Sequence, residues 1–202
     1  ENWQKALAEA IRDPADLLAR LGLPDSLLPA AQLAAEDFPL RVPLSYLSRM
    51  EKANPSDPLL LQVLPLHAEL ARPENGFSTD PVGDLDANPV PGLLHKYHGR
   101  ALLITTGACG IHCRYCFRRH FPYQDDSSTP ANLAQILKYL QTHDTIEEVI
   151  LSGGDPLSLS TRRLQELTRP LGELPNIKRL RIHTRLPVVL PDRVDAELVS
   201  WL

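Results

Sequence analysis

Apolar residues form short continuous runs in one half of the chain, with helical stripes between them. The run Ala101–Thr106 is typical of a buried strand in a parallel sheet. Two more strands are predicted over 146–151 and 177–183. Helices are predicted over 129–143, with Thr129 as N-cap, and over 161–171 and 192–202. The order βαβαβα predicts right-handed crossovers and a parallel sheet that is either open or closed into a barrel.

Prolines break the earlier part of the chain into short helices. Asp13-Pro14 and Asp57-Pro58 each predict an N-cap followed by proline at the first helical position. Residues 72–92 are dense in Pro, Gly, Asn and Asp, which predicts a long irregular connection. We therefore expect a helical N-terminal region with a linker over 1–94 and a β/α region over 95–202.

A distinctive segment follows each predicted strand. A cysteine loop follows the first, Ser152–Pro156 follows the second, and His183–Arg185 follows the third. The carboxyl ends of parallel strands lie on the same side of a sheet or barrel, and active sites form there. The sequence therefore predicts one functional rim.

Composition narrows the class of protein. Hydrophobic residues make up 43% of the 202 residues, charged residues 23%, and the net charge is −4. This balance is typical of a globular protein and argues against nucleic acid as a partner. No apolar run approaches the about 20 residues that span a bilayer, and the first residues lack the order of a secretory signal. We expect no membrane partner and a cytoplasmic location.

All three cysteines lie within eight residues, in the pattern Cys109-x-x-x-Cys113-x-x-Cys116. Thiolates at this spacing can hold three irons of a [4Fe–4S] cluster, which leaves the fourth iron open to a substrate or cofactor. A zinc site with His112 or His120 as the fourth ligand is one alternative. Structural or redox-active thiols are another. The clustering favours iron and sulfur.

A glycine pair follows the second predicted strand. Gly153 and Gly154 allow backbone to approach a ligand closely, and the adjacent Asp155 supplies charge or orientation. The same residues are also suited to a simple chain reversal. By itself the glycine pair is weak evidence of a site.

Together, the cysteine loop and the glycine pair resemble the radical S-adenosylmethionine superfamily. Four flanking segments resemble lysine 2,3-aminomutases: Lys96–Arg100, Cys113–Arg119, Ser152–Leu157 and Arg185–Pro191. Three others resemble the branch of that family that makes (R)-β-lysine for modifying elongation factor P: Leu40–Pro43, Gly76–Pro81 and Val90–Tyr97.

This resemblance implies an α/β fold, a partial (β/α)6 TIM-like barrel of which only the first half is present, preceded by the helical N-terminal region. It implies three cofactors: a [4Fe–4S] cluster, S-adenosylmethionine and pyridoxal 5′-phosphate. It also implies conversion of (S)-α-lysine to (R)-β-lysine through a 5′-deoxyadenosyl radical and an aldimine of pyridoxal phosphate. The Schiff-base lysine of the family lies outside this chain, so we expect the 202 residues alone to be incomplete for catalysis.

Site residues carried over from the resemblance fall into two groups. The cluster ligands are Cys109, Cys113 and Cys116. The residues that contact S-adenosylmethionine are Gly153, Gly154 and Asp155. Arg118 corresponds to the arginine that pairs with the substrate carboxylate, a task for a two-pronged donor. Its alternative is a solvated basic face shared with Arg114, Arg119 and His120. Lys96, Tyr97 and Arg100 match a stretch near pyridoxal phosphate, with Arg100 as a phosphate partner.

Partners also follow from the resemblance. L-lysine is the expected substrate, a flavodoxin or ferredoxin the expected electron donor, and the elongation factor P pathway the expected user of the product. Homo-oligomer formation is left open. The enzyme alternatives are another radical S-adenosylmethionine enzyme or another amino-acid 2,3-aminomutase, such as one acting on glutamate. The non-enzyme alternative is a zinc-stabilised interaction module.

Overall fold

The computed structural model describes residues 2–70, 78–124 and 130–202. The predicted N-cap Thr129 and part of the predicted connection, residues 72–77, lie outside the described residues. The chain divides into two compact units, which comprise Glu1–Pro81, Gly110–Arg119 and Pro187–Asp192 in the first, and Val82–Cys109, His120–Leu186 and Arg193–Leu202 in the second. The division of the sequence between residues 94 and 95 stays a prediction.

Short helices and turns make up the first unit. Its helices up to residue 81 are α1 (Asn2–Ala8), α2 (Pro14–Leu21), α3 (Leu28–Asp37) and α4 (Leu44–Leu47), with 3-10 turns at Asp25–Leu27, Leu60–Gln62 and His67–Leu70. The predicted start of α2 is confirmed, because the Asp13 carboxylate accepts the N–H of Ala15 at 2.9 Å and Pro14 opens the helix. Gly22 ends this helix at a left-handed φ of 65°.

Asp57 caps a much shorter element than the sequence predicts. Its carboxylate accepts the N–H groups of Leu59 and Leu60, both at 2.8 Å, as an N-cap residue does. Only the 3-10 turn Leu60–Gln62 follows, so the predicted helix is wrong here. Leu60 is buried in the apolar core of the first unit, and it shares that core with Leu17, Leu18, Leu21, Tyr46, Val63, Leu64 and Ile111.

A four-stranded sheet lies in the second unit, in the order β1 (Leu93–Tyr97), β2 (Arg100–Thr106), β3 (Glu148–Gly153) and β4 (Arg179–Ile182). The last three strands pair in parallel, as predicted. The α/β class and a sheet suited to part of a barrel are therefore confirmed.

β1 corrects the prediction of an all-parallel sheet. It pairs antiparallel with β2, and Leu93 lies opposite Leu103. The chain reverses between Tyr97 and Arg100, where Gly99 has a φ of 79°, a conformation that glycine adopts readily. Basic residues interrupt the apolar pattern of β1, and for this reason the sequence did not indicate a strand.

Four helices follow β2 along the chain: α5 (Pro130–Thr142), α6 (Thr161–Gly172), α7 (Leu186–Val189) and α8 (Ala196–Trp201). The first two agree with the predicted helices. The helix predicted over 192–202 begins later, because Pro191–Arg193 forms a 3-10 turn and the Asp195 carboxylate then caps α8 by accepting the N–H of Leu198 at 2.8 Å. α7 was not predicted. Within the described ranges, no helix is long and apolar enough to cross a membrane.

The two faces of the sheet differ in character. Leu103, Val149 and Leu151 point to one side, where they are buried against the helices α5 and α6 by Ile136, Leu140 and Leu171. On β3 the nearly buried Glu148 carboxylate accepts from Arg179 at 3.3 Å and from Arg181 at 2.9 Å, both on β4. The side that packs against α5 and α6 therefore holds the apolar core of the second unit.

Truncation of one core side chain tests this assignment. Leu103 is fully buried, so we expect Leu103→Ala to lower the free energy of unfolding by about 2 to 5 kcal/mol, because the loss of apolar burial leaves a cavity. Leu85 belongs to the same unit but is 50% exposed, and Leu85→Ala should cost less than about 0.5 kcal/mol. Urea unfolding followed by circular dichroism compares the two. Equal losses would contradict the placement of Leu103.

Candidate functional site

The carboxyl ends of β2, β3 and β4 lie on one rim of the second unit, because these strands are parallel neighbours. Cys109 follows the end of β2, the glycine pair lies at the end of β3, and Thr184 follows β4. The predicted common rim is therefore confirmed for these three segments.

The glycine pair touches the backbone that leads to Cys109. The N–H of Gly154 donates to the carbonyl of Thr106 at 2.7 Å, and the N–H of Asp155 donates to the carbonyl of Ala108 at 2.8 Å. A Cβ on Gly153, whose φ is 118°, would lie 2.6 Å from the Thr106 oxygen, and a Cβ on Gly154 would collide with the Ala108 oxygen. Side chains are excluded at both glycines because two backbone segments meet there.

Asp155 is buried, and its carboxylate joins the segment after β3 to the segment after β4. Oδ1 accepts the N–H of Leu157 at 3.0 Å and the hydroxyl of Thr184 at 2.6 Å. Oδ2 accepts the N–H groups of Arg185 at 2.8 Å and Leu186 at 3.0 Å. Both oxygens thus have partners within the protein. The predicted contact of Gly153, Gly154 and Asp155 with S-adenosylmethionine stays a prediction.

Tyr123 belongs to this rim, although sequence reasoning missed it. Its hydroxyl donates to the carbonyl of Gly153 at 3.0 Å. Its ring covers Gly107 so closely that a Cβ there would lie 2.7 Å from the Tyr123 Cβ. Nothing in the local sequence around this tyrosine indicates such a role, since it depends on two glycines in other loops.

The other two cysteines belong to the first unit. The N–H of Cys116 donates to the carbonyl of Cys113 at 3.0 Å, which closes a tight turn between them. Cys113 is partly buried against the apolar core that includes Ile111. Burial, with the nearby Cys113, raises the pKa of the Cys116 thiol, and the Arg118 N–H and the charges of Arg118 and Arg119 do not outweigh this effect. No cysteine forms a disulfide.

Arg114 fixes the cysteine turn to the rest of the first unit. Its guanidinium is 6% exposed and binds the Glu69 carboxylate with two prongs, from Nε at 2.8 Å and from Nη2 at 2.5 Å. It also donates to the carbonyl of Phe38 at 2.6 Å. Arg119 adds an ion pair to Glu69 at 3.2 Å and another to Asp37 at 2.7 Å. The proposed solvated basic face is therefore wrong for Arg114 and Arg119.

Glu69 is held as a carboxylate between these two arginines. Burial alone would raise the pKa of Glu69, but the hydrogen bond and charge of Arg114, with the Leu66 N–H and Arg119, outweigh burial and lower it. Both guanidiniums also lie over the ring of Phe38, with Cζ of Arg114 4.9 Å and Cζ of Arg119 4.7 Å from the ring centre.

The side chain of His112 also contacts residues of the first unit. Its Nδ1–H donates to the carbonyl of Pro39 at 2.7 Å, and its ring stacks on Phe38 at 5.2 Å. Burial lowers the pKa of His112, nearby arginines lower it further, and the bond to Pro39 does not compensate. The imidazole is therefore held neutral.

Three of the remaining predicted residues belong to the second unit and lie apart from the glycine loop there. In the second unit, Tyr97 and Arg100 pair where β1 turns into β2, with Cζ of Arg100 5.8 Å from the Tyr97 ring centre. That end of β2 is about 20 Å along the strand from Thr106. Lys96 forms an ion pair with Asp84 at 2.5 Å. In the first unit, Arg118 lies over the ring of Phe117 at 4.8 Å. Their predicted roles stay predictions.

The cysteine loop has the right donors for an iron–sulfur cluster: three thiols, none in a disulfide, on one short loop. In the part of the chain that the structure describes, no three His, Cys, Asp or Glu side chains are grouped so that they could hold a metal ion. The identity and number of the donors, rather than a preformed cage, therefore indicate the metal.

Comparison with known proteins gives the class. Residues 103–198 match the model of the Radical SAM superfamily, a range that contains the cysteine loop, the glycine pair and the segment after β4. The chain is 46% identical over its full length to the L-lysine 2,3-aminomutase of Haemophilus influenzae and covers 60% of that protein. It is 48% identical over 99% of its length to the Escherichia coli K12 L-lysine 2,3-aminomutase and covers 58% of it.

A third relative, the L-lysine 2,3-aminomutase of Buchnera aphidicola, is 42% identical over the whole chain. The chain is similar throughout its length to members of the lysine 2,3-aminomutase family of the radical S-adenosylmethionine superfamily. Enzymes of this family use a [4Fe–4S] cluster, S-adenosylmethionine and pyridoxal phosphate. The chain spans about 60% of the length of each of these three relatives, the Buchnera protein among them at 59%.

The Glu69 cluster predicts a specific dependence of stability on pH. A carboxylate with a lowered folded-state pKa stabilises the protein above the unfolded pKa of about 4.3, and this stability is lost as the pH falls through the folded value. We expect Glu69→Gln to lower the free energy of unfolding near pH 6 by about 2 to 3 kcal/mol, and to weaken its fall toward pH 3. Urea unfolding across this range measures both effects.

Glu36 supplies the matched control for this experiment. It lies on α3 in the same unit, its side chain is exposed, and Glu36→Gln should change the free energy of unfolding by no more than about 0.5 kcal/mol at any pH tested. If Glu69→Gln behaved like Glu36→Gln, the buried ion pair would have no role in holding the cysteine turn.

Proposed function

We propose that the protein containing this chain is a radical S-adenosylmethionine L-lysine 2,3-aminomutase that converts (S)-α-lysine to (R)-β-lysine. The observation that carries the proposal is identity of 46% along the whole chain to a protein of that name, with the cysteine loop inside the matched superfamily region. Because the chain covers about 60% of such relatives, the activity is proposed for the whole protein.

The cofactor sites are assigned by the chemistry of their donors. Cys109, Cys113 and Cys116 would hold the cluster. The Gly153-Gly154 segment would lie against S-adenosylmethionine, and Tyr97 with Arg100 would hold pyridoxal phosphate. When bound, the cluster and S-adenosylmethionine supply a carbon radical that removes hydrogen, and pyridoxal phosphate carries the amino group during its migration.

The side chains of this chain would orient the substrate and hold the cysteine turn in place. Arg118 presents a planar guanidinium, which suits a bidentate grip on the substrate α-carboxylate. Arg114, held by Glu69, keeps the turn between Cys113 and Cys116 in place. Ile111, between Cys109 and Cys113 in the sequence, is 5% exposed and belongs to the apolar core against which Cys113 packs.

The finer assignments follow the same line. We assign the protein to the branch whose (R)-β-lysine serves elongation factor P, which places the aminomutase in the cytoplasm with a flavodoxin or ferredoxin as electron donor. What supports the branch is the resemblance of Leu40–Pro43 and Val90–Tyr97, together with the identity to the Escherichia coli and Haemophilus influenzae proteins. A glutamate 2,3-aminomutase is the alternative substrate assignment.

Metal analysis tests the cluster ligands. After anaerobic reconstitution with ferrous salt and sulfide, we expect about four irons and four sulfides per chain. Cys109→Ser, Cys113→Ser and Cys116→Ser should each lose most of this iron, whereas His120→Asn, at an exposed position, should keep it. Stoichiometric zinc that falls with His112→Asn or His120→Asn would instead support the zinc-stabilised module and overturn the proposal.

Turnover tests the substrate and the role of Arg118. The full-length protein, supplied with reductant, S-adenosylmethionine and pyridoxal phosphate, should form (R)-β-lysine from (S)-α-lysine and no β-glutamate from glutamate. Arg118→Lys keeps the charge but loses the second prong, and we expect kcat/KM to fall about 10- to 100-fold with iron content unchanged. An unchanged kcat/KM would remove Arg118 from the substrate site.

A further inference from the structure

We infer that the turn Gly153-Gly154-Asp155 is a positioning element for Cys109, and that Asp155 is the residue that secures it. This inference rests on the proposed function and deepens it, because it assigns the turn a task toward a cluster ligand in addition to any contact with S-adenosylmethionine. The residues that carry it all belong to the second unit.

The first step is the contact between the turn and the residues that precede Cys109. Thr106 and Ala108 each offer a carbonyl, and the consecutive N–H groups of Gly154 and Asp155 take both, at 2.7 Å and 2.8 Å. Two such bonds fix the course of the backbone up to the residue adjoining Cys109. The direction in which the Cys109 Cβ leaves the chain is thereby set.

The contact between the turn and this backbone leaves no space for a side chain at either glycine. A Cβ on Gly153 would lie 2.6 Å from the Thr106 oxygen and 3.3 Å from the Thr105 nitrogen, and a Cβ on Gly154 would meet the backbone of Gly107 at 2.8 Å. The ring of Tyr123 also covers Gly107, and its hydroxyl donates to the Gly153 carbonyl. The backbone before Cys109 is thus held by two separate contacts.

The third step is the attachment of the turn itself. Asp155 uses both carboxylate oxygens, one for Leu157 N–H and the Thr184 hydroxyl and the other for the N–H groups of Arg185 and Leu186. A buried carboxylate with four donors has a single favourable orientation, since any rotation leaves donors unsatisfied. Asp155 therefore ties the turn to the segment after β4 and keeps it pressed against the backbone before Cys109.

Thiol reactivity in metal-free protein measures this positioning directly. The full chain is treated with iodoacetamide without iron, and alkylation is resolved by mass spectrometry at Cys109, Cys113 and Cys116. Gly154→Ala should raise the rate at Cys109 about tenfold, because the added Cβ forces the two backbones apart and opens the segment locally. Gly172→Ala is the matched control, since nothing lies within 4 Å of a Cβ there.

Three further variants test the role of Asp155. Asp155→Asn keeps the size of the side chain but replaces one acceptor by a donor, so at least one backbone N–H loses its acceptor and Cys109 alkylation should again rise about tenfold. Thr184→Val removes one donor to Asp155 and should raise it about threefold, and Thr184→Ser, which keeps the hydroxyl, should restore the original rate.

The inference is overturned if Gly154→Ala and Asp155→Asn leave the Cys109 rate unchanged, or if Thr184→Val and Thr184→Ser behave alike. General unfolding would raise the alkylation rates of all three thiols together. In that case the two Thr184 variants decide whether the turn positions Cys109, since their milder change should affect the rate at Cys109 alone. Iron content after reconstitution, the second readout, should fall with Gly154→Ala and not with Gly172→Ala.

These outcomes separate the inference from the proposed function. If iron binds normally but the alkylation rate of Cys109 is the same in the turn variants as in the original chain, the positioning role fails and the aminomutase proposal stands. If no iron binds to any form, the proposed function fails, whereas the alkylation pattern still reports on the turn. A loss of S-adenosylmethionine binding in Asp155→Asn, with Cys109 alkylation unchanged, would make Asp155 a ligand contact and overturn its positioning role.

Discussion

The close approach of residues 153–155 to residues 106–108 is the constraint on which the rim of the second unit depends. Parallel pairing brings the ends of β2 and β3 side by side, with an irregularity in register between Ile104 and Thr106. The hydroxyl of Thr105, the extra residue at this irregularity, donates to the Ser152 carbonyl at 2.9 Å. Backbone geometry, rather than side-chain packing, therefore shapes the segment that carries Cys109.

In the first unit, a buried ion pair helps to fix the segment that carries Cys113 and Cys116. Arg114 and Glu69 are nearly buried, and a buried pair of this kind contributes little net stability because desolvation offsets much of the attraction. Its value lies in geometry, since two prongs and the carbonyl of Phe38 fix one orientation of the guanidinium. The turn between Cys113 and Cys116 is thereby held to one path, although the thiols themselves make no metal cage in the described residues.

Much of the fold was predictable, because continuous apolar runs identify β2 and β3 and helical spacing identifies α5 and α6. The antiparallel β1 was not, since its five residues carry no alternating pattern. In the candidate site, the cysteines stand out by spacing alone, and the glycine pair becomes informative only together with them. Arg114 does not, because its partner Glu69 lies 45 residues away and the local sequence shows only a run of basic residues. Asp155 is conspicuous in the sequence, but its four donors come from positions up to 31 residues distant.

The arginines of β4 have a consequence beyond the ion pairs they make with Glu148. In the part of the chain that the structure describes, β4 pairs with β3 on one side and is the outermost strand there. Its other side offers backbone groups to any extended segment that approaches, and the exposed Leu180 adds apolar surface. Arg179 and Arg181 flank that leucine with fixed positive charge, which repels a second copy of the same strand. In the isolated chain, these two side chains therefore disfavour aggregation through strand addition.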